Sequence, residues 1–185
     1  MRAPNFLLTR QSRSCDNVIR PLPAPVRNRK LRSHMKSEIL FVCIHNSARS
    51  QMAEAFVNRH CGTEFHAQSA GIEPGKLNFI VVEAMAEESI DISGNATKSV
   101  ADMLQSGQHF DYVITVCDET SAERCPIFPG EVNRLHWGFP DPSSFTGTHE
   151  EKLAGTRTVR DAIADKISNW CVEKLGTCQP IPCVL

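Results

Sequence analysis

Apolar residues in this chain follow two rhythms that alternate along its length. Ile39 to Cys43 (ILFVC) is an unbroken apolar run, the mark of a strand buried on both faces. From Arg49 to about His60, Met52, Ala53, Phe56 and Val57 recur at the spacing of one helix face. A weaker strand candidate spans Glu64 to Ala70 and ends at Gly71. Leu77 to Ser89 sets Ile80, Val81, Ala84 and Met85 on one helical side, and Val100 to Gln105 reads as a short helix. Phe110 to Cys117 (FDYVITVC) is a second strong buried strand, and Val132 to Trp137 is the fourth. Glu150 to Leu175 is a long amphipathic helix with Val159, Ile163, Ile167 and Trp170 on one stripe. Strands alternating with helices predict an α/β fold: three layers, doubly wound, around a four-stranded parallel sheet with right-handed crossovers. No internal repeat interrupts the pattern.

Composition narrows this picture. The chain has 185 residues, 8 cysteines and a formal net charge of −1. At about 150 residues per domain that length suggests one domain. Hydrophobic (41%) and charged (22%) fractions are those of a globular protein, and 10 glycines exclude a collagen-like chain. No apolar run approaches the ~18 residues that span a bilayer. The charge is unevenly spread. Residues 1–34 hold 8 of the 20 basic side chains and a single acid, Asp16, a balance of +7 against −8 for the remaining 151 residues. Three prolines in RPLPAPVRNRKLRSH leave this stretch no usable period, so a basic, disordered tail is expected ahead of a domain at 35–185. An arginine-rich arm for nucleic acid, a transit peptide, and an upstream extension ahead of a true start at Met35 compete as readings. The expectation taken forward involves neither nucleic acid nor membrane.

The chemistry begins where the first strand ends. CIHNSARS puts Cys43 at the carboxyl end of that strand, then five residues, then Arg49 at the start of a helix. Strand-to-helix turns of this kind are where open α/β sheets bind ligands. Backbone N–H groups of Ile44, His45, Asn46, Ser47, Ala48 and Arg49 converge in such a loop, and the helix N-terminus adds partial positive charge. A tetrahedral oxyanion fits that cradle, and Arg49 grips it with a planar fork that lysine lacks. Donors that bind an anion also stabilise a thiolate, so Cys43 becomes a nucleophile beneath the bound ion. Ser50 is placed to donate to that thiolate, and Asn46 suits a left-handed turn. The plainer alternative is a core cysteine at a strand end.

Two further segments bear on this site. In HWGFPDPSS, Asp141 stands between two prolines, in a stiff loop. Over Cys43 it would exchange protons with a leaving or attacking oxygen; otherwise it is a turn-forming aspartate. In VCDETSAERCP, Cys117 ends the second strong strand and Cys125 follows after seven residues. Adjacent strands would put Cys117 on the rim that carries Cys43, and three thiols there can exchange disulfides in sequence. The alternative is one core and one loop cysteine.

Taken together, ILFVCIHNSARSQMAEAF, SAGIEPG, VCDETSAERCPIFPG and HWGFPDPS resemble the thioredoxin-coupled arsenate reductases, which share the low-molecular-weight protein tyrosine phosphatase fold. The four matches occur in family order over about Met35 to Leu175. The resemblance implies that Cys43 attacks arsenate held by the loop and Arg49, and that Asp141 assists departure of hydroxide or water. Cys117 then attacks the Cys43–arsenic adduct, arsenite leaves, and a Cys43–Cys117 disulfide forms. Cys125 resolves it, and the Cys117–Cys125 disulfide is reduced by thioredoxin, a glutaredoxin-like carrier or a similar dithiol. The implied enzyme is a cytoplasmic monomer with no tightly bound cofactor. Asn46, Glu54 and Ser69 match oxygen ligands that hold potassium weakly in some members. The expected acidic ligand is replaced near Lys98–Ser99, so no metal is expected. One more residue separates Cys117 from Cys125 than in the best-known members, a change that loop entropy tolerates.

Two rivals remain at this level. A tyrosine phosphatase of the same fold would use Cys43, Arg49 and Asp141 and hydrolyse a phosphocysteine with water. It has no use for Cys117 or Cys125, and Ser143 and Ser144 stand where aromatic residues usually grip a phosphotyrosine. A noncatalytic oxyanion or redox sensor would not need Asp141 beside the complete thiol set. Cys61, just after a helix, and Cys171, in the last helix, read as packed or partly buried, and Cys15, Cys178 and Cys183 fall in the two ends of the chain.

Overall fold

The computed structural model describes residues 36–117 and 127–176. Four strands form one parallel sheet in the order β2-β1-β3-β4: β1 (Ser37–Cys43), β2 (Phe65–Gly71), β3 (Tyr112–Thr115) and β4 (Asn133–His136). The helices are α1 (Arg49–His60), α2 (Phe79–Glu87), α3 (Val100–Gln105) and α4 (His149–Leu175). Every element expected from the apolar rhythm is present. β3 is shorter than its apolar run. At one end Asp111 exchanges bonds with Glu38, at the other the chain bends at Cys117, and the ladder holds only between them.

Side chains of β1 alternate between two cores, as a strand's period of two demands. Ile39, Phe41 and Cys43 face a large cluster with Met52, Phe56 and Val57 of α1 and Val159, Ile163, Ile167 and Trp170 of α4. Leu40 and Val42 face a smaller cluster with Val100, Phe110, Val113 and Phe128. Helices on both faces give the three layers. The chain runs from β1 outward to β2, then crosses back to β3 on β1's other side. That reversal opens a crevice at the carboxyl ends of β1 and β3, where such sheets bind ligands.

β2 forms one edge of the sheet. There the Asn58 side chain of α1 lies along Ala67, donating to its carbonyl (2.9 Å) and accepting from its N–H (2.9 Å).

α4 begins with a capping box, in which Thr148 Oγ1 accepts from the Glu151 N–H and the Glu151 carboxylate accepts from the Thr148 N–H. It is fixed to α2 by charge. Glu87 takes Arg157 through two nitrogens (2.7 and 2.9 Å) and Arg160 through a third contact (3.0 Å). It is fixed to α1 by a disulfide between Cys61 and Cys171, residues that the sequence pattern marks only as packed. That pairing joins positions 110 residues apart and leaves no local trace in the sequence.

Hydrogen bonds from Arg157, and then from Arg160, hold the Glu87 carboxyl below its ordinary value of 4.5. A carboxyl depressed on folding contributes stability that is present above its unfolded value and lost as pH falls through its folded one. Glu87→Gln should therefore lower the thermal midpoint by a few degrees at pH 7. Midpoints of the two proteins should converge as the pH drops below about 4; a gap that stays constant with pH would remove the carboxylate from the account.

Candidate active site

Cys43 ends β1, and the five residues after it form a loop that runs directly into α1. The loop is held from outside by its carbonyls. Those of Cys43, Ile44, His45 and Ser47 accept from the N–H groups of Ile72, Glu73, Gly75 and Asn78, at 2.8 to 3.1 Å. The Asn46 carbonyl accepts from Gln51 Nε2 at 3.2 Å. The loop's oxygens are thus turned toward this outer layer, while the Asn46 N–H is turned toward the Cys43 sulfur. Gly71 makes the close support possible. A Cβ there would sit 2.8 Å from Asn46 N, His45 C and Ile44 O.

The N-terminus of α1 is open. Its N-cap is Ala48, which has no side chain to bond the first-turn donors, and no acidic residue occupies the first turn. A helix normally satisfies those donors with a capping side chain and is stabilised there by negative charge. This one keeps both its N–H groups and its partial positive charge for whatever lies in the loop.

Cys43 is a free thiol, almost wholly buried. Its sulfur accepts from the Asn46 N–H at 3.1 Å and lies 3.0 Å from Ser50 Oγ. Ser50 Oγ itself accepts from Asn46 Nδ2 at 2.9 Å, which leaves its own hydrogen to point at the sulfur. Asn46 has φ 52°, the left-handed turn expected from its position in the loop. Its Nδ2 also donates to Ser69 Oγ (2.8 Å), and its Oδ1 accepts from Lys98 N (2.7 Å) and Gln51 Nε2 (3.3 Å). Nothing in the sequence pattern singles out Gln51, a fully buried amide that in addition donates to the Ala96 carbonyl and accepts from Asn95.

Asn46, Ser69 and Glu54, the potassium-ligand candidates, lie together. Ser69 Oγ donates to Glu54 Oε2 in a short hydrogen bond, and Lys98 Nζ sits 3.2 and 3.3 Å from the two Glu54 oxygens. An ammonium on this chain's own lysine thus already meets the Glu54 carboxylate. Among the described residues no group of His, Cys, Asp and Glu side chains forms a metal site.

Arg49 is buried, and its fork is aimed at the loop that carries Asp141. Nη1 donates to the Phe139 carbonyl (3.0 Å) and Nη2 to Asp141 Oδ2 (2.8 Å). Its Nε is buried and has no hydrogen-bond partner among the described residues. The contact with Phe139 has no sequence signal, because a carbonyl is common to all residues. Asp141 takes the turn-forming role, one of its two sequence readings, and is in addition paired with Arg49. Oδ1 accepts from the Ser143 N–H (3.0 Å) and caps the short 3-10 turn Pro142–Ser144, while Oδ2 faces Arg49.

Cys117 lies two residues beyond Thr115, which pairs in register with Val42 of β1. It is therefore on the same rim as Cys43, and it is buried. Cys125 lies outside the described residues. The assembled groups comprise a buried thiol under two donors, an uncapped helix start, a buried arginine and a carboxylate tied to it. They are suited to binding a tetrahedral oxyanion and attacking its central atom.

Known proteins resemble this chain in sequence and in fold. The sequence profile of the low molecular weight phosphotyrosine protein phosphatases matches residues 38–178. An arsenate reductase of Bacillus licheniformis is 44% identical over 136 residues, covering 73% of this chain and 95% of its own. That of Bacillus subtilis is 42% identical over 133 residues, covering 71% and 93%. Among solved structures, an arsenate reductase in the phosphate binding state superposes with a TM-score of 0.58 at 28% identity, over 75% of this chain and 98% of its own.

The Gly71 contact can be tested directly. Gly71→Ala forces backbone atoms of the loop apart, and overpacking of this kind typically costs 1–3 kcal/mol. Calorimetry should show inorganic phosphate binding weakened about tenfold or more, while far-UV circular dichroism stays that of the parent. Unchanged phosphate affinity would mean that the loop tolerates the extra carbon.

Proposed function

The chain belongs to the arsenate reductases of the low molecular weight phosphotyrosine protein phosphatase family, and from that premise we propose that it reduces arsenate through a relay of Cys43, Cys117 and Cys125. The observation that carries this reading is the pairing of β1 with β3. It puts a second buried cysteine on the rim beside a thiol already held by Asn46 and Ser50.

Arsenate occupies the loop, bound by the N–H groups of residues 44–49 and by Arg49. The Cys43 thiolate attacks arsenic, and an oxygen leaves as water with a proton from Asp141. Cys117 attacks the Cys43 sulfur. The electron pair of the sulfur–arsenic bond passes to arsenic, As(V) becomes As(III), and arsenite departs from a Cys43–Cys117 disulfide. Cys125 then attacks Cys117, restoring the Cys43 thiolate and moving the oxidised bond to Cys117–Cys125. A dithiol carrier of the thioredoxin class takes that bond as two electrons and two protons are delivered. The two electrons that arsenate needs thus come from thiols, and the fold has only to place three sulfurs in turn.

Arg49 has a second task in this scheme. It is paired with Asp141 before the anion enters; in this reading arsenate takes over the guanidinium, and the released carboxyl takes up a proton and passes it to the leaving oxygen. The reading assigns the catalytic domain to residues 35–185 and leaves the basic segment 1–34, which lies outside the described residues, without a part in the chemistry. It places a monomeric enzyme in the cytoplasm, where dithiol carriers are kept reduced. No helix among the described residues is long and apolar enough to cross a membrane.

Purified protein supplied with arsenate, thioredoxin, thioredoxin reductase and NADPH should oxidise NADPH continuously. Cys43→Ser, Cys117→Ser and Cys125→Ser should each abolish sustained turnover, and Asp141→Asn should lower kcat by about a hundredfold or more. Normal turnover by both Cys117→Ser and Cys125→Ser would sink the relay. Efficient hydrolysis of an aryl phosphate, with no response to arsenate, would make the protein a phosphatase instead.

A further inference from the structure

The disulfide between Cys61 and Cys171 has no place in the relay, and its position says what it does instead. Cys61 is the C-cap of α1, and its carbonyl accepts from Phe65, the first residue of β2. Phe65 pairs with Ser37, the first residue of β1. The bond therefore lies at the amino ends of the strands, whereas Cys43 and Cys117 lie at the carboxyl ends. The 12 residues of α1 hold the two ends about 18 Å apart.

Its surroundings are closed. Cys61 is 2% exposed and Cys171 0%. The neighbouring Trp170 packs its ring against Phe65, Tyr112 and Trp137 at centroid distances of 4.9 to 5.9 Å. Thiol exchange requires in-line approach of a thiolate to sulfur, so a folded carrier protein cannot reach this bond while α4 is docked. The bond also holds a part of α4 that lies beyond its ion pairs to other elements. Among the described residues, the ion pairs from α4 to other elements come from His149, Arg157 and Arg160. Cys171 lies three turns further on, ahead of the left-handed stop at Gly176.

We propose that Cys61–Cys171 is a second redox centre, a latch that sets the stability of the domain and is insulated from the catalytic thiols. It closes by exchange with a low-molecular-weight disulfide. One cysteine thiolate attacks and releases the first small thiol, and the other attacks the mixed disulfide and releases the second. Two electrons pass from the cysteines to the small disulfide. Reduction by a small dithiol or phosphine reverses the change once the end of α4 opens. The inference stands whether or not the relay reading does, because it concerns stability and not turnover.

The full-length protein is first incubated with thioredoxin, its reductase, NADPH and arsenate, quenched by alkylation under denaturing conditions, and mapped as peptides. The peptides bearing Cys61 and Cys171 should remain joined. The triple variant Cys43→Ser/Cys117→Ser/Cys125→Ser is then melted with and without a phosphine reductant. Its midpoint should fall by roughly 10 °C on reduction, as expected for a cross-link closing a span of 110 residues. Adding Cys61→Ala and Cys171→Ala should give the low midpoint directly and abolish the response. Alkylation of Cys61 and Cys171 after treatment with the thioredoxin system alone would overturn the insulation. A midpoint indifferent to reductant in the triple variant would overturn the latch, and this readout does not depend on the alanine variant folding.

Discussion

Asn46 spends every hydrogen-bonding group of its side chain on holding one turn of backbone. Two donor hydrogens go to Ser50 and Ser69, and two lone pairs accept from Lys98 and Gln51. All of these groups are buried or nearly so, and each would cost about 1–3 kcal/mol if left unpaired. The network therefore permits one loop conformation and penalises others steeply. A left-handed backbone at Asn46 is what aims its N–H at Cys43. The sulfur, the serine beside it and the outer layer of carbonyl acceptors all depend on that single residue keeping its place.

Charge follows from the same turn. Because the loop enters α1 through Ala48, the helix start has neither a capping side chain nor an acidic residue in its first turn. Arg49 adds a full positive charge immediately after it, balanced by Asp141 from the far side of the crevice. Beneath the loop the sequence of contacts runs Asn46 to Ser69 to Glu54 to Lys98, so a half-buried carboxylate behind the loop is met by an ammonium.

Much of this arrangement is legible in the amino-acid sequence. ILFVC reads as a strand buried on both faces, and a cysteine at its end, five residues and an arginine point to a loop because a strand precedes them and a helix follows. Helices are readable from the spacing of Met52, Phe56, Ile163 and Ile167, whose burial decides where α1 and α4 face. What escapes is of two kinds. Gln51 and the Phe139 carbonyl act through ordinary groups whose importance comes from the tertiary neighbour and not from residue type. Cys61 and Cys171 need the sheet to bring them together, and chain spacing carries no information about a contact across 110 residues. The length of β3 is overestimated for a related reason: apolar character marks burial, and Phe110 and Val116 are buried without belonging to the strand.

The amide of Asn58 has a consequence for how the molecule behaves among its own kind. A sheet edge exposes unpaired backbone groups that a strand from another chain can complete, the usual first step of aggregation. β2 is seven residues long, ample for such pairing. By bonding both the N–H and the carbonyl of Ala67, Asn58 imitates the missing neighbour at the middle of that edge, and Lys98 occupies the Gly71 N–H at its end. An incoming strand meets an interrupted template. One helix asparagine thus doubles as a guard against fibril-like association, at a place where the hydrophobic pattern alone would have left the sheet open.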